Sequence, residues 1–113
     1  MAISSRVFKI LVLTILLMSA LPVQSGNIEK GKQKSEMCAG CHGADGISIS
    51  SIIPNLAGQK EEYMLNSLLA FKSGERKNGI MSSVVTTISD LDAEDIAAYY
   101  SSLGGAKAED KQD

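Results

Sequence analysis

The segment Cys38-Ala39-Gly40-Cys41-His42 is the part of this 113-residue sequence that decides the fold. Two cysteines separated by two residues and followed at once by a histidine form the pattern of a covalent haem attachment site. The spacing suits this chemistry, because two thiols on one helical turn can each bond one vinyl group along a porphyrin edge. The imidazole of the next residue then lies beneath the ring and can bind the iron. We therefore predict that Cys38 and Cys41 carry a haem and that His42 is an axial ligand.

Other sites that are built on two cysteines fit the sequence less well. A thioredoxin-type redox motif needs a βαβ setting, and no segment near Cys38 has the pattern of a strand. A structural zinc site needs four Cys or His ligands, whereas the whole chain has two cysteines and one histidine. A plain disulfide would leave His42 without a role. One covalently bound haem c is therefore the predicted cofactor.

Residues 1–25 have the composition of a signal peptide. Arg6 and Lys9 form a positive region, residues 10–18 form a short apolar region, and residues 23–25 are suited to signal peptidase. A retained membrane anchor is the alternative, although this apolar segment is too short to cross a bilayer comfortably. We predict cleavage at about Ser25 and export to the periplasm, without stable membrane insertion of the mature chain.

The predicted mature chain is small and acidic. Cleavage after Ser25 leaves 88 residues with nine basic and thirteen acidic side chains, a formal charge of −4. Nucleic acid is an unsuitable partner for such a chain, because phosphate binding needs a basic surface. So few residues make a thin core, and we expect a buried haem to complete it. The predicted domain covers residues 26–104, and the polar tail, residues 105–113, is predicted to be disordered.

The hydrophobic pattern of the mature chain predicts an all-α fold with about four short helices around the haem. Gly31 in the first helix indicates a close crossing with another helix. Residues 47–53 alternate Ile and Ser as a strand would, but no partner strand exists, so we predict an apolar loop along the haem edge. The first predicted helix covers residues 29–37, has Asn27 as cap and runs on into the attachment motif. The second covers residues 60–73 and ends at Gly74, and the third covers residues 84–88 with Ser82 or Ser83 as cap. The last has Ser89 or Asp92 as cap and carries on one face Ile96, Tyr99, Tyr100 and Leu103.

An electron carrier needs the second axial position of the iron to be filled, and methionine is a usual ligand there. Met37 adjoins the attachment motif and is expected on the same side of the ring as His42. Met64 lies on the apolar face of a helix, where a role in the core is favoured. Met81 lies at the end of a loop over residues 75–81, with enough chain after His42 to reach the far face. We predict that Met81 is the second ligand.

The orientation of His42 should be fixed through its other ring nitrogen, as is usual for an imidazole that binds a metal. The carbonyl of Pro54 is our candidate acceptor. Proline has no N–H group, so the turn over residues 54–58 stays open at that point.

Taken together, these segments resemble the small bacterial class I cytochromes c. The resemblance is to the kind found singly as periplasmic carriers and also as one half of two-haem cytochromes. It implies a fold in which the first and last helices of the mature chain cross near Gly31 and the Tyr99/Tyr100 pair. It also implies ligation by His42 and Met81 and a hydrogen bond from His42 to Pro54. Two-haem relatives carry a second CxxCH segment, whereas this sequence contains one. The matching segments are residues 31–46 (GKQKSEMCAGCHGADG), 54–59 (PNLAGQ), 63–76 (YMLNSLLAFKSGER), Met81 and 96–103.

The predicted function is that of a monomeric periplasmic one-electron carrier and not of an enzyme. Its expected partners are redox proteins, either a respiratory reductase or oxidase or a dehydrogenase. Lys72, Arg76 and Lys77 either form a positive docking patch or are ordinary solvated charges. The alternative function is the haem subunit of a larger periplasmic dehydrogenase, for example a flavin-containing enzyme that oxidises sulfur compounds. A haem enzyme or gas sensor needs an open iron position, and nothing in the sequence supplies acid–base groups for it.

Overall fold

The structure is a computed structural model that describes residues 2–17 and 25–104. Within these residues the regular structure is helical, and no strand occurs. The all-α prediction is therefore confirmed. The helices are α1 (Ser5–Leu17), α2 (Ile28–Lys34), α3 (Glu36–His42), α4 (Glu61–Ser73), α5 (Met81–Val84) and α6 (Asp90–Ser102), and a 3₁₀ turn (Val85–Thr87) follows α5.

Helix α1 contains both the positive and most of the apolar region of the predicted signal peptide. Within residues 2–17 and 25–104, no helix is long and apolar enough to cross a membrane. Residues 18–24, which precede the predicted cleavage site, lie outside the described residues, and so does the predicted disordered tail, residues 105–113. The cleavage and the disorder of the tail thus stay predictions.

Helix α2 begins as expected but does not run unbroken into the attachment motif. The side chain of Asn27 accepts the N–H of Lys30 at 2.9 Å and caps α2. The predicted continuous helix is wrong at Ser35, where α2 ends and α3 begins. The buried Ser35 hydroxyl donates to the Lys32 carbonyl at 2.8 Å, and its own carbonyl accepts the Cys38 N–H at 2.8 Å. The bond from the Cys38 N–H spans three residues, as in a 3₁₀ turn, while the Ser35 N–H still donates to the Gly31 carbonyl, four residues back, at 2.8 Å.

Helices α2 and α6 cross at Gly31, as the sequence predicts. A Cβ atom on Gly31 would lie 1.9 Å from the Asp95 carbonyl oxygen and 2.8 Å from the Tyr99 Cβ. Gly26 makes a second close approach, with its hypothetical Cβ 2.2 Å from the carbonyl oxygen of Glu94. Glycine is therefore required at both points, because any side chain would force the two helices apart.

Helix α6 supplies most of the core. Its cap is Ser89, whose hydroxyl accepts the Asp92 N–H at 3.0 Å, while the Asp92 carboxylate accepts the Ser89 N–H at 2.9 Å. The two residues that the sequence offered as alternative caps thus form one capping box. The buried core contains Met64 from α4, Val85 and Ile88 from the segment after α5, and Ala93, Ile96, Ala97, Tyr99 and Tyr100 from α6.

The segment between α4 and α6 differs from the prediction in one respect. Gly74 ends α4 in the left-handed region, with φ +80°, as expected. The next helix begins at Met81 instead of residue 84, so the prediction that Ser82 or Ser83 caps it is wrong. The side-chain oxygen of Asn78 accepts the N–H groups of Ile80 and Met81, at 3.1 and 3.0 Å. This pairing starts the helix earlier than the hydrophobic pattern suggested.

Candidate haem site

A cavity of about 290 Å³ lies where α3, α4, α6 and the start of α5 meet. All five residues that the sequence singled out line this cavity: Cys38, Cys41, His42, Pro54 and Met81. Apolar side chains from three helices make up much of the rest of the wall, including Leu68, Phe71, Val84 and Ile96. Two thiols, an imidazole and an apolar wall around one space are the groups that a covalently bound porphyrin requires. The residues present therefore fit haem c.

The two cysteines are not joined in a disulfide. Burial raises the pKa of the Cys38 thiol, and the neighbouring Cys41 raises it further. A reactive redox pair needs the opposite shift, because the thiolate is the nucleophile and its pKa is lowered at such sites. In the described residues, no three His, Cys, Asp or Glu side chains are grouped as a metal site. The Cys38 thiol therefore lacks the lowered pKa of a reactive redox cysteine.

His42 is buried at the last position of α3, and its ring is held from one side. Its Nδ1 lies 2.8 Å from the carbonyl oxygen of Pro54. With Nδ1–H as donor, Nε2 carries no proton and its lone pair is available to a metal. The peptide carbonyl therefore selects the tautomer that can bind iron.

Two glycines bring Pro54 back to His42. Gly43 ends α3 with φ +86°, and Gly46 follows with φ +77°, a conformation that other residues rarely adopt. The Gly46 carbonyl accepts the N–H groups of Leu56 and Ala57, at 2.8 and 3.1 Å, and this closes the loop. The loop geometry thus fixes where the Pro54 carbonyl lies.

Residues 47–53 form an irregular loop and no strand, as expected. None of them lines the cavity, and the side chains of Ile49 and Ile52 are exposed. The structure therefore gives no support to our expectation that this loop lies along the haem edge. Its contact with the attachment motif is polar: the Ser48 hydroxyl donates to the Cys41 carbonyl at 3.1 Å.

Three methionines line the cavity: Met37, Met64 and Met81. Met37 is half exposed, and its sulfur accepts the Thr87 hydroxyl at 3.6 Å. Met64 is 6% exposed and belongs to the core cluster, whereas Met81 is partly buried at the edge of that cluster. Two candidate sulfur ligands besides Met37 thus face one space.

The structure bears on the proposed positive patch at Lys72. The Lys72 ammonium pairs with the Asp90 carboxylate and donates to the Ile88 carbonyl at 2.9 Å, so its charge is compensated within the domain. The Arg76 guanidinium lies 4.6 Å from the centre of the Phe71 ring and lines the cavity. Arg76 and Lys77 are both exposed, and for these two residues the patch stays a prediction.

Five further polar residues that were not predicted as site residues line the cavity: Asn55, Gln59, Ser67, Arg76 and Asn78. Asn78 lies in the loop predicted over residues 75–81, and its side-chain oxygen accepts the N–H groups of Ile80 and Met81 as a helix cap does. The site also contains Tyr100. Burial raises the pKa of Tyr100 to about 12, so its hydroxyl remains protonated at neutral pH.

Comparison with known proteins gives consistent matches. The family model for cytochrome c matches residues 28–104. Cytochrome c-554(548) of Halomonas halodenitrificans is 42% identical over 69% of this chain and 98% of its own length. The crystal structure of reduced cytochrome c4 from Pseudomonas stutzeri has a TM-score of 0.69 and 41% identity, over 73% of this chain. Only 48% of that cytochrome c4 chain is covered, so this chain corresponds to about half of it. The cytochrome subunit of sulfide dehydrogenase from Chlorobaculum tepidum is 38% identical over 66% of both chains.

Proposed function

This chain belongs to the cytochrome c family, and on that premise we propose that it is a periplasmic one-electron carrier with one haem c. Cys38 and Cys41 would bond the haem, and His42 and Met81 would bind its iron. The haem supplies a one-electron couple between ferric and ferrous iron. The observation that carries the proposal is the cavity on which the attachment motif, the His42–Pro54 hydrogen bond and Met81 converge.

The choice of Met81 over Met64 depends on what else each side chain does. Met64 packs in the core with Val85 and Ile96, so its removal from that cluster would leave a void. Met81 is only partly buried, and its backbone N–H is fixed by Asn78 at 3.0 Å. Met81 is therefore the better candidate for an axial ligand, because its side chain is not part of the buried core and its backbone is held in place.

The cavity wall favours a reduced iron and offers little for catalysis. A thioether ligand and an apolar surround both stabilise the ferrous state, so we expect a high reduction potential. In the described part of the chain, no carboxylate lines the cavity, and the Tyr100 hydroxyl keeps its proton. His42 is hydrogen-bonded to the Pro54 carbonyl through Nδ1 and would bind the iron through Nε2. The wall thus lacks a free acid–base group, and we propose that the protein is not an enzyme.

The start of the folded domain is consistent with cleavage close to Ser25. The Ser25 hydroxyl and the Gly26 N–H donate to the Glu61 carboxylate, at 3.1 and 3.2 Å, and the Asn27 N–H donates to the Asp95 carboxylate at 2.6 Å. Contacts of the chain with α4 and α6 thus begin at the proposed site. We propose an exported monomer that meets redox proteins and neither nucleic acid nor the bilayer.

The second candidate function is the haem subunit of a periplasmic dehydrogenase. The relative from Chlorobaculum tepidum, which is a subunit of sulfide dehydrogenase, favours this possibility. The two functions share the haem site and differ in what accompanies the protein. Purification from its native cells distinguishes them: a carrier elutes alone, whereas a subunit elutes with a larger flavin-bearing protein.

Potentiometric titration of the purified holoprotein tests the proposed function. We expect a reversible one-electron transition with a slope of about 59 mV per tenfold change in the oxidised-to-reduced ratio. We also expect the reduced protein to leave carbon monoxide unbound, because His42 and Met81 fill both axial positions. Rapid carbon monoxide binding would indicate an open position and would overturn the carrier assignment in favour of a sensor or an enzyme.

A further inference from the structure

We propose that Asn78 is a positioning residue that holds Met81 in place as an axial ligand. The inference rests on the proposed function, since it takes Met81 to bind the iron. The single side-chain oxygen of Asn78 accepts the N–H of Ile80 at 3.1 Å and the N–H of Met81 at 3.0 Å. No other side chain caps α5: its N-cap position is Ile80, which makes no side-chain hydrogen bond there. Asn78 thus fixes the backbone from which the Met81 side chain extends.

Ser82 and the backbone complete a closed set of hydrogen bonds around this point. The Asn78 carbonyl accepts the Ser82 N–H at 2.8 Å, and the Ser82 hydroxyl accepts the Asn78 N–H at 3.1 Å. Residue 78 is therefore bound to residues 80, 81 and 82 through its side chain, its carbonyl and its N–H. The result is a small rigid unit with Met81 at its centre.

Met81 packs against the edge of the core, but the segment before it gives little other support. Residues 73–80 contain one large apolar side chain, Ile80, which is 65% exposed, so few apolar contacts within the protein restrain this segment. Helix α5 has only four residues, and such a short helix is not stable on its own. An exposed segment and a marginal helix would fluctuate, and each fluctuation would pull the Met81 sulfur away from the iron. The hydrogen bonds of Asn78 oppose that motion.

The role makes a definite demand on the residue type. The group must be an acceptor on a short side chain that reaches the N–H groups two and three residues ahead, as Asn and Asp do in turns and caps. Aspartate would keep both hydrogen bonds but would add a negative charge at the cavity wall, which stabilises ferric iron. Alanine would remove the acceptor oxygen and with it both hydrogen bonds, without adding a charge. These substitutions separate positioning from charge.

The experiment measures how often the axial site opens in the ferric holoprotein, with imidazole as a neutral competing ligand. We expect Asn78→Ala to bind imidazole about tenfold faster than the wild type, the factor expected for the loss of a helix cap. We also expect a weaker red charge-transfer band of methionine–haem ligation. Asn78→Asp should bind imidazole as slowly as the wild type and should have a lower reduction potential. If Asn78→Ala does not fold, Asn78→Ser takes its place in the experiment. The serine hydroxyl is a weaker acceptor for the two N–H groups, so we expect an imidazole-binding rate between those of the wild type and Asn78→Ala.

Ser89→Ala is the matched control, because it removes the cap of α6 and leaves the Met81 segment intact. It should lower stability by a similar amount and leave the imidazole rate unchanged. If Asn78→Ala binds imidazole no faster than the wild type, or if Ser89→Ala accelerates binding equally, Asn78 is an ordinary structural cap and the inference is wrong. Met81→Ala tests the proposed function separately: if that variant retains the charge-transfer band, Met81 is not the ligand, whatever Asn78 does.

Discussion

Gly31→Ala should destabilise the protein although alanine is the better helix former. The change favours α2 by about 1 kcal/mol, because glycine is the poorer residue in a helix interior. The new Cβ would lie 1.9 Å from the Asp95 carbonyl oxygen, roughly 1.5 Å inside ordinary contact. That carbonyl is backbone within α6, so relief requires the two helices to separate and disturbs the packing of Tyr99 beneath them. Overpacking of this kind costs about 3 kcal/mol at the upper end of its usual range.

The two effects leave a net loss of about 2 kcal/mol, or roughly 8–16 °C in Tm for a domain of this size. Guanidinium unfolding of the ferric holoprotein, followed by far-ultraviolet circular dichroism, measures it. Gly104→Ala is the control, because its Cβ would meet nothing within 4 Å, and its stability should change by less than about 0.5 kcal/mol. If Gly31→Ala is as stable as the wild type or more stable, the helices do not cross closely at Gly31.

Two further predictions concern α6. Tyr100→Ala should lower the free energy of unfolding by about 3–5 kcal/mol, since its side chain is 1% exposed and its ring centre lies 5.2 Å from that of Tyr99; a loss below about 1 kcal/mol in denaturant titration would refute the burial of Tyr100 in the core. The pKa of Asp92 is lowered chiefly by the hydrogen bond that its carboxylate accepts from the Ser89 N–H. The Ser89 hydroxyl and the Lys34 ammonium lower this pKa further, whereas burial opposes the shift. A lowered carboxyl pKa stabilises the fold above the ordinary pKa and loses that stabilisation as pH falls through the native value. Urea midpoints between about pH 6 and pH 2 should therefore fall less steeply in Asp92→Asn than in the wild type; equal slopes would show that the capping box contributes nothing.

Much of the fold is predictable from the sequence, because its signals are local. The attachment motif specifies the cofactor, Asn27 and Gly74 are recognisable helix boundaries, and the pattern of α6 gives its buried face. Gly31 indicates a helix crossing more directly than the hydrophobic pattern does. A glycine destabilises the interior of a helix, so its presence there suggests that another element packs closely against it. The structure places the Asp95 carbonyl there.

The features that the sequence analysis got wrong depend on single side-chain hydrogen bonds or on contacts distant in sequence. Ser35 separates α2 from α3, and its hydroxyl donates to the Lys32 carbonyl, an option open to many serines that never use it. Lys72 pairs with Asp90, eighteen residues away, which no local pattern reveals. Asn78 resembled a turn residue, and only the structure shows its oxygen on the N–H of Met81.

The central claim is that Met81, and not Met64, completes the coordination of the iron opposite His42. The most direct measurement is the weak red charge-transfer band of the ferric holoprotein, recorded for Met81→Ala and Met64→Leu. We predict that Met81→Ala abolishes the band, because the thioether that produces it is gone. Met64→Leu is nearly volume-conserving in the core and should leave the band unchanged. Loss of the band in Met64→Leu together with its retention in Met81→Ala would contradict the assignment.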